Sequence, residues 1–236
     1  MACILNIETS TKACSLAVSV NEEIVFNRIQ TEKVSHVSLI GVYGKEAMDF
    51  MRKNNLKPDA VAVSAGPGSY TGLRIGVSYA KGLCYGLNVP LIAIPTLKIM
   101  TLSALEQIRD EESCFCPMID ARRMEVYSAI YDSHLNEIRA VRADIVEENS
   151  YREYLASGKM VFFGDGSDKC KEIIHSENAI FMDDIFPSAD KMASLSEKAC
   201  SEKNFVQAAY FEPFYLKEFQ ATAAKNKVLK TKPTDE

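Results

Sequence analysis

The chain has 236 residues, of which 47% are hydrophobic and 25% charged, and its formal net charge is −5. This composition is ordinary for a soluble globular protein. The acidic balance argues against unaided binding to nucleic acid, because phosphate contacts need a basic surface. No apolar run approaches the ~20 residues of a membrane span, and residues 1–7 lack the basic region of a signal peptide. We therefore expect a cytoplasmic protein without a membrane segment.

Seven cysteines are scattered along the chain. Their odd number and irregular spacing indicate reduced thiols and not a disulfide framework. Cys114 and Cys116 form an isolated C-x-C, and no second pair lies nearby to complete the four ligands of a zinc site. We interpret this stretch as a strand with two small side chains on one face, and we expect no metal there.

The first half of the chain predicts three strands, a helix, a strand, a second helix and a last strand. Alternating or buried apolar runs predict the strands, and apolar residues at spacings of three and four predict the helices. In chain order these elements cover residues 3–8, 14–20, 23–29, 35–54, 60–64, 71–87 and 89–96.

The second half repeats this order. Its predicted strands and helices cover residues 114–119, 125–131, 137–146, 148–156, 160–163, 166–175, 179–184 and 188–203. Two βββαβα units side by side predict an α/β protein with two mixed sheets, helices packed on them and a cleft between. We expect an N-terminal unit over residues 1–100 and a C-terminal unit over residues 101–236 that ends in a short flexible tail.

Two loops have residue types that can approach a phosphate. Thr9, Ser10 and Thr11 follow the first strand and offer hydroxyls and backbone N–H groups. In the second loop, Gly66 and Gly68 permit close backbone approach. Ser69, or Thr71 two residues later, can cap the helix that follows. An ordinary turn is the favoured explanation of the first loop and explains the second equally well, and the second loop matches neither a P-loop nor a dinucleotide motif.

The helix over residues 71–87 contains more glycine than a helix normally tolerates. A polar stripe at spacings of three and four leaves most of the helix circumference to be buried; it consists of Arg74, Ser78, Lys81 and Tyr85. Small residues form a ridge at steps of four, namely Gly72, Gly76, Ala80 and Cys84. Each interior glycine costs about 0.5–1 kcal/mol relative to alanine, and we expect close approach of another helix to compensate.

Gly41 and Gly44 in the helix over residues 35–54 suggest that two glycine-bearing helices face one another. The ridge either packs wholly within the chain or also meets a second subunit. The second interpretation predicts that Gly76→Leu or Ala80→Trp leaves the monomer folded but abolishes pairing. An unfolded variant would show that the ridge is internal.

Four segments together resemble the TsaB family, also called YeaZ, of tRNA threonylcarbamoyladenosine biosynthesis subunits. They are ILNIETST near the start, GPGSYTGLRIGVSYAKGL at 66–83, DARRMEVYSAIYD at 120–132 and PFYLKEFQA at 213–221. The resemblance implies the ASKHA fold of actin, Hsp70 and sugar kinases, which agrees with the doubled βββαβα pattern. It also implies a role in forming N6-threonylcarbamoyladenosine at position 37 of tRNAs that read ANN codons.

In that pathway TsaC makes threonylcarbamoyl-AMP, the paralogue TsaD transfers the threonylcarbamoyl group, and the ATPase TsaE joins TsaB and TsaD. The resemblance therefore implies a non-catalytic scaffold that pairs with TsaD, that reaches tRNA only through the complex and that forms a homodimer when alone. We expect no independently bound cofactor, with ADP or ATP possible at the boundary with the partner. The expected interface residues are His36, Ile40, Gly41, Gly44, Gly72, Gly76, Tyr79 and Ala80.

The catalytic paralogue binds its metal through an H-x-x-x-H pair on the first long helix. Here His36 occupies the first position and residue 40 is isoleucine, while His134 and His175 belong to the second half. One imidazole cannot hold a catalytic ion alone. We therefore expect neither a metal site nor catalytic residues, and His36 is interpreted as a helix-surface or interface residue.

Three enzymatic alternatives remain. An ATP-dependent phosphotransferase could use Glu8 near Mg²⁺, with Asp120 and Asp165 as further candidates. An M22-like metallopeptidase lacks its ligand set. An RNase H-like nuclease needs several convergent carboxylates around two metals. The adjacent Arg122 and Arg123, at a predicted strand turn, receive no role from the resemblance.

Overall fold

Two five-stranded sheets form the framework of the computed structural model, which describes residues 2–31, 36–108 and 110–217 apart from the side chains of residues 36 and 37. The first sheet contains β1 (Cys3–Glu8), β2 (Cys14–Val20), β3 (Glu23–Gln30), β4 (Ala60–Gly66) and β5 (Leu91–Pro95). Its strand order is β3-β2-β1-β4-β5. β1 pairs antiparallel with β2 and parallel with β4, so the sheet is mixed.

The second sheet repeats the topology of the first. It contains β6 (Cys114–Asp120), β7 (Glu125–Tyr131), β8 (Glu137–Ile145), β9 (Met160–Phe163) and β10 (Ala179–Met182). Read from its meander edge, the order is β8-β7-β6-β9-β10, and β6 is again antiparallel to β7 and parallel to β9. The predicted α/β fold with two mixed sheets is confirmed.

Five α-helices connect or cover the sheets in the part of the chain that the structure describes. They are α1 (His36–Lys53), α2 (Tyr70–Leu87), α3 (Thr96–Leu105), α4 (Arg152–Ser157) and α5 (Ala193–Ser201). None of the helices among the described residues is long and apolar enough to cross a bilayer.

The helices of the structure differ from the predicted helices at two places. The structure has α3, which sequence periodicity did not indicate because this helix is buried over most of its circumference and has no polar stripe. Conversely, residues 166–175 form only a short 3₁₀ turn at Asp168–Cys170 with further turns around it. At its start, the hydroxyl of Ser167 donates to the carbonyl oxygen of Gly164 at 2.8 Å, a local bond that competes with helix formation.

The first sheet is covered on both faces. Along β1 the side chains alternate, so Leu5 and Ile7 point into the cluster with α1 and α2 while Ile4 points to the opposite face. On that opposite face Ile99 of α3 and Met192 beside α5 complete a second cluster. The sheet therefore lies between two helical layers, as its near-continuous apolar strands require.

The end of the described chain returns to the first sheet. α5 contacts β1 and β5, and Val206 forms a bridge with Leu91. Farther on, the backbone N–H of Phe214 donates to the carbonyl oxygen of Ala65 at 2.7 Å. α5, Val206 and Phe214 thus contact the first sheet, and the division into units 1–100 and 101–236 stays a prediction. The predicted flexible tail lies outside the described residues from residue 218 onward.

Candidate interaction site

α2 begins and ends with standard capping residues. The hydroxyl of Ser69 accepts a hydrogen bond from the backbone N–H of Gly72 at 3.2 Å, which satisfies one of the free donors of the first turn. The helix ends at Leu87, where Asn88 adopts the left-handed conformation with φ of 55°. The predicted capping by Ser69 is therefore present, and it fixes the start of the helix directly beside the β1–β2 loop.

The small-residue ridge of α2 packs against its own chain. A β-carbon at Gly72 would collide with the backbone carbonyl oxygen of Thr9, and one at Gly76 would collide with the Thr9 hydroxyl. That hydroxyl donates to the carbonyl oxygen of Gly72 at 2.8 Å. Thr9 is the element whose close approach compensates the cost of both glycines. At these two positions the close neighbour is therefore the β1–β2 loop and not, as was expected, another helix.

The rest of the ridge is equally internal. Ala80 is fully buried and Cys84 nearly so, both in the cluster between α2 and the first sheet. A leucine at position 76 would displace the Thr9 loop, and a tryptophan at position 80 would overfill the core. The expectation that Gly76→Leu and Ala80→Trp leave the monomer folded is therefore corrected: both variants are expected to destabilise it.

Helices α1 and α2 contact each other at Gly44. A β-carbon at Gly44 would overlap the phenol of Tyr79. The phenol ring therefore occupies the space that a side chain of residue 44 would need. Burial raises the pKa of the Tyr79 phenol, so this group stays neutral. Gly44 thus lets two helices approach within the chain, as the glycine pattern suggested.

An open groove lies on the outer side of the α1–α2 contact. Its volume is about 700 Å³, and its lining residues are Ile40, Gly41, Tyr70, Thr71, Arg74, Ile75, Ser78 and Tyr79. Around Gly41 no atom lies within 4 Å of the place where a β-carbon would stand. Val42, the next residue, is 52% exposed although it is apolar. The groove combines an apolar floor with a polar edge, which is the general anatomy of a protein interface.

The structure divides the predicted interface residues into three groups. Ile40, Gly41 and Tyr79 line the groove. Gly44, Gly72, Gly76 and Ala80 are buried beneath it within the chain. His36 begins α1, and its side chain lies outside the described residues. The interface itself stays a prediction, now centred on Gly41 and Tyr79, because Ile40 lines the groove but is only 3% exposed.

Sequence reasoning missed several groove residues. Thr71, Arg74, Ile75 and Ser78 occupy the accessible side of α2, and two of them, Arg74 and Ser78, belong to the polar stripe, which was not included in the expected interface. Ile75 could have indicated this surface, because it is an apolar residue directly beside the polar stripe in the sequence.

The two candidate phosphate loops contact each other. The backbone N–H of Ser69 donates to the carbonyl oxygen of Ser10 at 2.6 Å, and a β-carbon at Gly68 would overlap the same oxygen. Gly66 has φ of +107° and packs against the carbonyl of Phe214. These contacts account for the loop residues without a ligand, and their proximity to a phosphate stays a prediction.

Glu8 is fully buried at the end of β1, on the face opposite α1 and α2. One carboxylate oxygen accepts a hydrogen bond from the backbone N–H of Ser10 at 2.5 Å, and the other has no partner among the described residues. Burial, only partly offset by hydrogen bonds from Ser10, raises the pKa of Glu8 to about 7. A carboxyl group in this position is held inside the protein.

The other carboxylates considered for catalysis are engaged in ion pairs. Asp120 pairs with Lys169 at 2.5 Å, and Asp165 lies 3.8 Å from the Lys12 ammonium. Asp165 also accepts a hydrogen bond from the backbone N–H of Asp120 at 3.0 Å. Within the described ranges, no three His, Cys, Asp or Glu side chains converge in a way that could hold a metal ion.

The doubled sheet topology places the chain in the class of ASKHA-like α/β proteins. A family model described as "TsaD: tRNA N6-adenosine threonylcarbamoyltransferase" matches residues 23–236. A protein of Escherichia coli K12, "tRNA threonylcarbamoyladenosine biosynthesis protein TsaB", is 30% identical over 91% of this chain and 94% of its own length. The corresponding protein of Haemophilus influenzae is 28% identical over 91% and 93% of the two chains. The chain belongs to the TsaB family, within the wider group that contains TsaD.

A solved structure supports the same fold. The structure described as "YeaZ from Pseudomonas aeruginosa" aligns with a TM-score of 0.78 at 23% sequence identity, covering 92% of this chain and 100% of that one. At this identity the likeness establishes the architecture alone.

Proposed function

We propose that this chain is a non-catalytic scaffold subunit for threonylcarbamoyl transfer to adenosine 37 of tRNAs that read ANN codons. It acts by pairing with a TsaD-type transferase through the groove between α1 and α2. The observation that carries this proposal is the groove itself, an accessible surface with apolar side chains on the two helices that the family resemblance assigns to pairing.

The shape of the groove favours a helix of a related protein as its occupant. Gly41 leaves an unfilled space on α1, and the half-buried Ile75 stands opposite on α2. A partner with the same architecture can present its own equivalent helices, which gives a pseudo-symmetric contact of two helix pairs. The match to the family model named for TsaD supports such a related partner. In the absence of that partner, a second copy of this chain could cover the same surface as a homodimer.

The non-catalytic part of the proposal rests on where the acidic groups point. Glu8 is buried and held by Ser10, so it cannot meet a substrate without opening of the β1–β2 loop. Asp120 pairs with Lys169, and Asp165 lies 3.8 Å from the ammonium group of Lys12. These contacts support a scaffold and leave the transfer chemistry to the partner. Recruitment of TsaE, nucleotide at the boundary and access to tRNA through the complex are parts of the same proposal.

The test is assembly measured by size-exclusion chromatography with light scattering, on this chain alone and mixed with its cognate TsaD-type protein. Gly41→Glu introduces a charge into the groove, where it has free space and a neighbouring Lys45 one turn away. We expect this variant to remain folded and to lose pairing with the partner. Gly158→Glu is the matched control, because Gly158 also has open space but lies at the end of α4.

Pairing that is unaffected by Gly41→Glu, or equally affected by Gly158→Glu, would contradict this site. Activity provides the second measurement. Threonylcarbamoyl transfer to a tRNA transcript should require both proteins with TsaE and fail with this chain alone. Turnover of ATP well above background by the purified chain would support the independent enzyme instead.

A further inference from the structure

The turn between β6 and β7 presents two adjacent arginines that the proposed pairing does not use. Arg122 and Arg123 both adopt left-handed backbone conformations, with φ of 72° and 49°. Their side chains are exposed. Neither guanidinium group forms an ion pair with any residue of the described ranges.

Lys169 holds the backbone of this turn in place. Its ammonium group donates to the Asp120 carboxylate at 2.5 Å, to the carbonyl oxygen of Arg123 at 2.7 Å and to that of Glu125 at 2.6 Å. The backbone N–H of Arg122 also donates to Asp120 at 3.0 Å. One partly buried lysine thus fixes the turn at three points, while the two arginine side chains remain outside.

The acidic groups nearest the turn are already neutralised. Lys169 pairs with Asp120, Lys217 pairs with Glu125, and Lys12 lies beside Asp165. The charge of the two arginines is therefore uncompensated locally, although the chain as a whole carries −5. Such a small basic surface on an acidic protein suits an anionic partner that is held mainly by another subunit.

Two contacts of residues 215 and 217 link the groove to the turn. Tyr215 packs on Tyr70, which lines the groove, with ring centroids 4.6 Å apart. Two residues later Lys217 pairs with Glu125 at the start of β7. Two residues span at most about 7 Å of backbone, so this backbone and the side chains of Tyr215 and Lys217 together connect the groove edge with the arginine turn. A molecule bound by a partner seated in the groove can therefore extend to the turn.

We propose that Arg122 and Arg123 contact the phosphate backbone of the tRNA when this chain is paired with its transferase. This inference rests on the proposed function and adds a direct RNA contact to it. Arginine binds phosphate through paired N–H donors, and two exposed neighbours suit successive phosphates of an extended backbone. A free nucleotide is less suited, because small ligands are normally enclosed in a cavity and these side chains are exposed.

The experiment measures tRNA binding by the complex of this chain with its cognate TsaD-type protein. An unmodified tRNA transcript is titrated by fluorescence anisotropy at several KCl concentrations. For the double variant Arg122→Ala/Arg123→Ala we expect about tenfold weaker binding and a salt slope lower by about 1.5–2, as expected for two lost phosphate contacts. The control is Arg52→Ala/Lys53→Ala, which removes two adjacent exposed cations at the end of α1 and should change the affinity less than about twofold.

An unchanged affinity and salt slope for the arginine variant, or an equal loss in the control, overturns the inference. Complex formation is measured first by light scattering. If the arginine variant no longer pairs with the transferase, the turn belongs to the protein interface and the inference is wrong. If the wild-type chain does not pair, the proposed function fails at this earlier step and the inference fails with it. The inference would also be refuted if ATP alone displaced all of the tRNA binding that depends on Arg122 and Arg123.

Discussion

Thr9 and Gly76 share one space: the hydroxyl of Thr9 stands where a side chain at position 76 would begin. The same hydroxyl donates to the carbonyl oxygen of Gly72 at 2.8 Å. The β1–β2 loop is thereby joined to α2 by a fully buried contact. The groove surface on the opposite side of α2 depends on this contact for its position.

The first prediction concerns this contact. Gly76→Ala should lower the free energy of unfolding by about 1–3 kcal/mol, because the new methyl group collides with Thr9 in a closed space. The loss is expected despite the gain of about 0.5–1 kcal/mol that alanine brings to a helix interior. Denaturant unfolding followed by circular dichroism gives the difference.

Gly82→Ala is the control for this effect, because Gly82 lies in the same helix and has open space around it. It should stabilise the protein by about 0.5–1 kcal/mol. In a Thr9→Ala background the cost of Gly76→Ala should shrink, since the colliding hydroxyl is gone. Equal costs in both backgrounds would show that Thr9 is not the obstacle.

The second prediction concerns the buried Glu8. Its pKa in the folded protein is raised from 4.5 to about 7, so the folded state binds a proton more tightly than the unfolded chain. Its contribution to stability is therefore complete below about pH 4.5 and is lost as the pH rises to about 7. The two and a half pH units between these values correspond to about 3 kcal/mol. Unfolding free energies measured from pH 4.5 to 8 test this dependence.

Glu8→Gln keeps the shape and the acceptor for Ser10 but cannot ionise. The stability of this variant should stay constant over that pH range, and at pH 8 the variant should be more stable than the wild type. A wild-type protein whose pH dependence is the same as that of the variant would mean that Glu8 does not titrate there.

The third prediction concerns a buried charge network beneath the second sheet. Arg139 and Asp144 are 10% and 11% exposed and lie 2.5 Å apart, and Tyr151 donates to Asp144 at 2.9 Å. Burial alone would raise the pKa of Asp144, but the hydrogen bond from Ser128 and the charge of Arg139 lower it. Asp144→Asn should cost about 3–5 kcal/mol of unfolding free energy, because it leaves the arginine charge buried and unpaired.

Asp168→Asn is the comparison variant, since Asp168 is 74% exposed and its ion pair with Lys171 is 3.7 Å long. It should change the free energy by less than about 1 kcal/mol. Asp144 also has the pH dependence opposite to that of Glu8, because its stabilising effect is lost as the pH falls through its lowered pKa. A small effect of Asp144→Asn would indicate that water reaches Arg139.

The fourth prediction concerns the start of α2. Ser69→Ala removes the acceptor for the backbone N–H of Gly72 and should lower stability by about 1 kcal/mol. Ser69→Asp should restore most of this loss, because aspartate is an equally good cap. Thermal unfolding of the two variants decides the matter: if both lose the same stability, the cap hydrogen bond is not responsible.

The sequence predicted the elements of the first unit well because their patterns are visible in the residue order. β1 and β2 are short runs buried on both faces, whereas the spacing of three and four in α1 reflects burial of one face. α3 is buried over most of its circumference and therefore has no such period. Residues 166–175 have helix-like composition, but local turns prevail there.

The candidate site shows a different limit. The ridge of small residues was correctly taken as a sign of close approach, but a sequence does not show which molecule approaches. Thr9 is 67 positions before Gly76 in the chain, and only the fold brings the two together. Gly41 and Tyr79 were placed in the expected interface and do line the groove, whereas Ile75 became visible only when α2 was seen beside α1.

The return of α5 to the first sheet has a consequence for synthesis of the protein. The face of this sheet that carries Ile4 and Ile92 is completed by residues near Met192, about a hundred positions after β5 ends. At about 5–20 residues per second, a ribosome needs roughly 5–20 s to add this length. During that time this apolar surface of the nascent first lobe has only part of its native cover, which α3 supplies. The growing chain should therefore be a substrate for ribosome-associated chaperones until α5 has emerged.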